Sequence, residues 1–387
     1  MKVGIIADIH LQGGFESKEA IALDKARNLF REQEVDLVCV AGDIYEGVST
    51  EDQRLVFKEF LDGVNQFGAR AIVLRGNHDA PKELLINHQS EYVTVFEKPG
   101  TLTVSLRDGS HIFLGVVPHF SAGAVALQSE NLTEFGEKGT SLMIDLLNKM
   151  YQDFNNQKHP SMLLFHGTVS GAKLDNDNIP RHNGIHLPLS VLETLGVPVV
   201  GGHYHKLQNV GGSVWYPGSI TRQTWGEYKD DKGVLIWEHN GTSWEKEPVF
   251  HSLNPQPMVS ISAEFVDGKF IDQQTKEEIN LQNIAEAGSK VRFRYTVKAE
   301  EVHSIPPEFK AQLQAIDPDA KIEKKTIHQI SVRNAEIMEA TGVEDSLRVY
   351  YQGRGLTDSE IQSILEIRRE ILEMGKTEQD NQDEVAA

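Results

Sequence analysis

Residues 1–10 read MKVGIIADIH, an apolar run that ends abruptly in Asp8-Ile9-His10. A short, near-continuous apolar segment marks a strand covered on both faces. The period of an extended chain then sends Asp8 and His10 to the same side. The pattern recurs along the chain. VDLVCVAGD at 35–43, AIVLRGNHD at 71–79, MLLFH at 162–166 and VPVVGGHYH at 197–205 each carry apolar residues into Gly, Asp, Asn or His. Working outward, strands are predicted at 2–7, 36–41, 69–74, 111–117, 162–165 and 197–200, with helices at 17–32, 51–67 and 141–155. Strand–helix alternation of this kind makes a layered α/β domain. Strands at 214–216 and 233–237 follow without long helices between them, which adds an antiparallel portion.

Beyond Asn254-Pro255-Gln256-Pro257 the texture changes. Val259, Ile261, Ala263 and Phe265 alternate with polar residues, as do Val291, Phe293, Tyr295 and Val297, the period of half-buried strands. With helical stretches expected at 276–287 and 307–316, this is a small α+β domain. Thr357-Asp358-Ser359-Glu360 then opens a helix with a capping-box pattern, carrying more apolar surface than one narrow stripe needs. The expected divisions are 1–250, 255–330, a helical segment at 335–376 and an acidic tail at 377–387.

A chain of 387 residues has room for two or three domains, and 39% hydrophobic with 25% charged residues is a globular composition. Cys39 is the one cysteine, so no disulfide framework exists within the chain. The start lacks the apolar core of a secretory signal, and no window reaches the roughly 18 consecutive apolar residues of a membrane span. A soluble, intracellular protein with no membrane partner is expected. The net charge of −19 argues against a surface coated for nucleic acid. It leaves room for a nucleic-acid substrate at a site where bound cations invert the local field.

In open α/β sheets, ligands bind at the carboxyl edge, where residues distant in sequence converge. Five segments end there: Asp8-Ile9-His10, Gly42-Asp43, Gly76-Asn77-His78-Asp79, His166 and Gly202-His203-Tyr204-His205. Carboxylate, imidazole and amide oxygen suit hard or borderline divalent metals. Each motif alone is weak, and the other histidines, His119 included, read as ordinary core or surface residues. Five ligand-bearing strand ends in one chain are not.

In these motifs the sequence resembles the calcineurin-like metallophosphoesterase family: DIH, GD, GNHD, the histidine of FHG, and GHYH, within residues 1 to about 240. The resemblance implies that a first metal takes Asp8, His10 and His205, a second takes Asn77, His166 and His203, and Asp43 bridges them. The ions would be two Mn²⁺ or a similar divalent metal. His78 would stand apart from the ligands and face the scissile phosphate, with Asp79 either orienting it or capping the turn. Two cations roughly 3.5–4 Å apart would neutralise phosphate oxygens and acidify a water.

Three features resemble the SbcD-type DNA-end nuclease branch of that family. They are WYPGSITR at 215–222 with Trp225-Gly226-Glu227 and Lys232-Gly233, the α+β module that would be a DNA-capping domain, and the C-terminal helices. The branch implies Mn-dependent exonuclease and endonuclease activity on DNA in repair and recombination, a homodimer, and a coiled-coil ABC ATPase partner of the SbcC type. Arg222 is a candidate DNA contact; Lys173 and Arg181 read as ordinary surface charge. Many relatives carry a histidine shortly after the bridging aspartate, whereas this chain has Glu46, which is left out of the site. The alternatives are a phosphatase or nucleotide phosphodiesterase on the same fold, against which stands the missing GDxxDRG motif of phosphoprotein phosphatases, and a non-catalytic scaffold, against which stands the full ligand set.

Overall fold

The computed structural model describes residues 1–84, 90–120, 131–174, 185–327 and 342–385. Its apolar runs form two six-stranded sheets. In the first, β1 (Lys2–Ile6), β2 (Leu37–Val40), β3 (Arg70–Leu74) and β4 (Val93–Phe96) are parallel. The antiparallel pair β11 (Gly233–Glu238) and β12 (Val249–Ser252) extends it beyond β1, giving the order β12-β11-β1-β2-β3-β4. The second sheet contains β5 (Gly100–Ser105), β6 (His111–Val117), β7 (Ser161–His166), β8 (Val199–Gly202), β9 (Gln208–Gly211) and β10 (Val214–Tyr216) in the order β5-β6-β7-β8-β10-β9.

The period of two divides each strand between two cores. Val3, Ile5, Leu37 and Cys39 face Ile112, Leu114, Met162 and Leu164 in an apolar layer between the sheets. Ile6, Val38 and Val40 face the opposite way and pack with Leu23, Phe30, Phe57 and Phe60 of α1 (Lys18–Glu32) and α2 (Glu51–Gln66). On the far side of the second sheet, Phe113, Leu163 and Phe165 pack with Leu147 and Phe154 of α3 (Leu132–Asn155) and with Leu192 of α4 (Leu189–Thr194). The α/β domain read from the sequence is thus a helix–sheet–sheet–helix stack, which explains why so many strands are apolar on both faces.

Ser17 caps α1 through Ala20 N, and Thr50 and Gln53 form a reciprocal capping box on α2. Helix α3 starts at Leu132, well before the expected 141. Gly136 and Gly139 disfavour helix there, but Asn131 caps its end and Gly139 lets Ile185 approach closely, so tertiary packing wins.

A third sheet has the order β14-β13-β15-β16, from β13 (Met258–Val266), β14 (Lys269–Asp272), β15 (Lys290–Lys298) and β16 (Lys321–Ile327). Phe270, Phe293 and Tyr295 cluster on Phe309 of α5 (Phe309–Ile316), with Phe270 and Phe309 stacked at 4.5 Å. The helix expected at 276–287 is absent. Asp272 Oδ1 accepts from the amides of Gln274 and Thr275, Lys276 has φ of 62°, and Ile279 N returns to Phe270 O. Local side-chain turns outcompete the helix, leaving one 3₁₀ turn at Leu281–Asn283. At the C-terminal side lie α6 (Val343–Gln352) and α7 (Asp358–Val385), joined by Arg369–Glu344 and Arg348–Gln362 contacts. The chain divides into two units by its contacts: Met1–Glu264 with Lys269–Tyr295 and Pro306–Lys324, and Phe265–Gly268 with Thr296–Ile305 and the chain from Lys325.

Candidate metal centre

The strand ends converge through main-chain bonds between their loops. Asp8 N donates to Gly42 O (3.1 Å), His10 N to Asp43 O (3.0 Å) and Leu11 N to Ile44 O (2.8 Å), zipping the first motif to the second. Asp8, His10, Asp43 and His203 have φ of 50°, 51°, 54° and 113°, conformations that cost side-chain-bearing residues energy and concentrate at functional sites. Gly76 permits the close approach of the third motif, since a Cβ there would collide with Asp43 Oδ1.

The residues named from the sequence fall into two groups of donor atoms, while Glu46 with His10 and His78 forms a third. In the first, His10 Nε2 lies 3.1 Å from His205 Nε2, and Asp8 completes the set. Asp8 Oδ1 accepts from His203 N at 2.8 Å, while its Oδ2 is buried with no hydrogen-bond partner. In the second, Asn77 Oδ1 sits 2.9 Å from His166 Nε2 and 2.8 Å from His203 Nδ1. Asp43 lies between them, its Oδ2 3.3 Å from His166 Nε2 and 3.8 Å from His10 Nε2. An orphaned buried carboxylate oxygen, two facing imidazole nitrogens and an amide oxygen turned to two more imidazoles form the donor chemistry of two divalent ions. The seven residues named from the sequence for metal binding are therefore gathered into one cluster.

Burial and mutual proximity shift the titration of the cluster's groups. Burial pushes Asp8 up to about 6. Burial also lowers His203, with His166 beside it adding to the effect, to about 3. Against its own burial, His166 is raised to about 9 by Asp43, and Asp43 is held well below the carboxylate range by His166.

Outer partners fix the imidazoles. His166 Nδ1 donates to Ala41 O at 2.7 Å. His205 Nδ1 meets Glu227 Oε1 at 3.2 Å, and His10 Nδ1 lies 2.5 Å from Glu46 Oε1. His166 and His205 thus each have one ring nitrogen hydrogen-bonded and the other free to face a metal, whereas His10 Nδ1 meets Glu46 as an ion-pair contact outside hydrogen-bond geometry.

His78 stands at the rim, its side chain 44% exposed, and its amide donates to Asp43 Oδ1 at 2.9 Å. The carboxylate that meets its ring is Glu46, 2.8 Å from Nδ1. Asp79 does the other thing offered for it: its carboxylate accepts the amides of Asp43, Ile44, Tyr45 and Gly76 and clasps two loops together. The hydrogen bonds of its carboxylate go to those amides and not to the His78 ring. Arg222, named as a DNA contact, directs Nε to the carbonyls of Glu227 and Asp230 and Nη1 to Gln256 O. Arg181 lies outside the described residues.

Glu227 and Lys232 stand behind the cluster, and sequence reasoning gave them no role. Glu227 is fully buried, and it accepts from Lys232 Nζ (2.7 Å), from the amides of Gln223 and Thr224, and from Ser219 Oγ. Lys232 Nζ also donates to His205 O at 2.7 Å. Burial raises the carboxyl, yet the His205 hydrogen bond and Lys232 hold it down at about 2. The signal was the Thr224…Glu227 spacing, which by itself reads only as a cap.

The family profile described as calcineurin-like phosphoesterase matches residues 1–207. The chain belongs to this family. This phosphoesterase has the family's metal-dependent chemistry, with candidate ligand groups for two ions. Curated proteins yield no match. Among solved structures, similarity is found to GAP50, the anchor in the inner membrane complex of Plasmodium, at 10% identity over 83% of this chain and 96% of that one, TM-score 0.40. A dimetal phosphatase from Danio rerio gives 12% identity over 66% and 99%, TM-score 0.37. Purple acid phosphatase PPD1 from yellow lupin (Lupinus luteus) seeds gives 10% over 72% of this chain and 52% of that one, TM-score 0.38. No described helix of the phosphoesterase is long and apolar enough to cross a membrane.

Proposed function

We propose that this phosphoesterase is the Mn-dependent nuclease subunit of a DNA-repair complex, cutting DNA phosphodiesters alongside a coiled-coil ABC ATPase of the SbcC type in the cytoplasm. The observation that carries the reading is the wiring of the 215–233 stretch. The segment through which the sequence resembles the nuclease branch supplies Glu227 and Lys232, which grip the metal ligand His205. The exposed rim position of His78 adds support, because a polymer's backbone phosphate can reach it.

Asp8, His10 and His205 would hold one ion, Asn77, His166 and His203 the other, with Asp43 shared. When bound, such ions supply Lewis acidity, drawing charge from phosphate oxygens and making water acidic enough to attack near neutral pH. The protein's own part is proton handling. With Nδ1 of His78 engaged by Glu46, Nε2 is the nitrogen left to give a proton to the leaving oxygen. Arg222 enters as a brace for the Glu227 loop, with any DNA contact made from that position.

A homodimer fits the surface of the helical layer. Val56, Phe60 and Leu61 are spent on the protein's own core, whereas Phe15, Ile21 and Leu55 remain exposed on α1, α2 and the loop before them.

The test incubates the full-length protein with Mn²⁺, with and without the ATPase, on end-labelled linear duplex DNA and on aryl phosphate mono- and diesters. Cleavage of DNA and of the diester, lost in His78→Ala, is expected. Hydrolysis of the monoester alone would replace the nuclease with a phosphatase, and no hydrolysis by a metal-loaded protein would favour a scaffold.

A further inference from the structure

The two metal positions share Asp43 but differ in what stands behind their ligands. At the first, both imidazoles have a carboxylate behind them: Glu46 Oε1 lies 2.5 Å from His10 Nδ1 as an ion-pair contact outside hydrogen-bond geometry, and Glu227 Oε1 meets His205 Nδ1 in a hydrogen bond of 3.2 Å. The remaining ligand there is Asp8, a third carboxylate. At the second, His166 Nδ1 is backed by the neutral carbonyl of Ala41, and the ligand corresponding to Asp8 is the neutral amide of Asn77. A carboxylate hydrogen-bonded to the far nitrogen raises imidazole basicity and fixes the ring, and such partners change metal affinity by about 10–100-fold.

Glu227 is built to remain ionised in a fully buried place. Its Oε2 takes the Lys232 ammonium at 2.7 Å, while Oε1 meets His205 and also accepts from the amide and hydroxyl of Thr224. Lys232, itself buried, also holds the His205 carbonyl, so that ligand is fixed at ring and backbone together. Glu46 differs in being half-exposed and shared, since its Oε2 serves His78 at 2.8 Å.

We propose that the two positions load unequally: the position of Asp8, His10 and His205 takes its ion more tightly, because Glu46 and Glu227 hold its two imidazoles from behind. Glu46 and Glu227 are then positioning residues that set the order of loading. The inference rests on the dinuclear reading of the centre and not on the choice of DNA as substrate.

The experiment titrates Mn²⁺ into metal-stripped full-length protein and follows binding by calorimetry and by electron paramagnetic resonance. Two steps are expected, an isolated-Mn²⁺ spectrum giving way to a spin-coupled pair. Asp8→Asn should abolish the tight step, whereas Asn77→Ala should remove the weak one and leave the tight one. Glu46→Gln and Glu227→Gln should each weaken the tight step by about 10–100-fold and leave the weak one nearly unchanged. Because Glu227→Gln disturbs a buried pair, the half-exposed Glu46→Gln keeps the test decisive if the other fails to fold. Two equal steps in the wild type, a tight step that survives Asp8→Asn, or an unaltered tight step in Glu46→Gln would overturn the proposal. Failure of the wild type to bind any Mn²⁺ would instead sink the dinuclear reading on which it stands.

Discussion

Two buried carboxylates organise the loops around the metal centre, and they do it in opposite ways. Asp79 gathers four main-chain amides from the second and third motifs and has no charged partner among its hydrogen bonds. Glu227 gathers an ammonium, an imidazole, a hydroxyl and amides from the 219–232 loop. Burial acts on both, but the outcome depends on the partners. Asp79 is pushed up to about 6 by burial despite its amide donors, whereas His205 and Lys232 bring Glu227 down to about 2. One region is a carboxylate clasp with no charged partner, the other a buried ion pair attached to the candidate ligand His205.

The largest expected effect separates both from the chemistry itself. His78→Ala should lower kcat by about 10²–10⁴, the usual share of general acid catalysis, with Mn²⁺ uptake unchanged by calorimetry; lost uptake would make His78 a ligand. Next, Glu227→Gln keeps the shape but leaves the buried Lys232 ammonium with only the more distant Asp230 carboxylate, at 3.9 Å, as a charged partner, an imbalance costing about 3–5 kcal/mol. Chemical denaturation should show that loss, and Glu227→Gln with Lys232→Met should recover most of it. Asp79→Asn strands no cation, so its cost should be smaller, about 1–3 kcal/mol, from poorer acceptance of buried amides. Equal costs for the two would remove the distinction.

The same contrast fixes the sign of the pH response in the metal-stripped protein. The folded pKa of Glu227 lies below its ordinary 4.5, so its contribution is present above 4.5 and is lost as pH falls towards about 2. The folded pKa of Asp79 lies above its ordinary 3.8, so its contribution is present below 3.8 and is lost as pH rises through about 6. Thermal melts across both windows should therefore flatten in Glu227→Gln only at the acidic end and in Asp79→Asn only in the higher window. The smallest effect expected is that of Glu46→Gln on turnover, about a tenfold fall in kcat with KM little changed, measured at saturating Mn²⁺; a change confined to KM would deny Glu46 a part in positioning His78.

These carboxylates also mark where the sequence stopped being readable. That Asp8, His10, Asp43, Asn77, His166, His203 and His205 would gather in one place was legible because each follows an apolar strand, and strand ends in such sheets meet at one edge. Partnerships among loop side chains obey no such period. Asp79 follows His78 directly, yet its carboxylate turns to the main chain of 43–45, and Glu46, from another loop, takes the imidazole. Glu227 reaches His205 across a stretch whose local spacing spoke only of a cap. In the fold, the central strands were plain from their apolar runs. The strands β4, β5, β9, β12, β14 and β16 were missed, being four to seven residues long and partly exposed or mixed in character. The helix expected at 276–287 failed for the reverse reason, because turns made by Asp272 and Asn280 side chains satisfied the backbone first.

The positive-φ ligands carry a consequence for how this protein ages in evolution. Asp8, His10, Asp43 and His203 each hold a backbone conformation that a glycine would adopt with less strain, at a cost of order 1–3 kcal/mol apiece. Substitution by glycine would thus relax the chain while deleting its candidate metal donors. Selection for durability alone would drift towards an inert descendant of the same shape, and only continued demand for the reaction keeps these four side chains in their uncomfortable places.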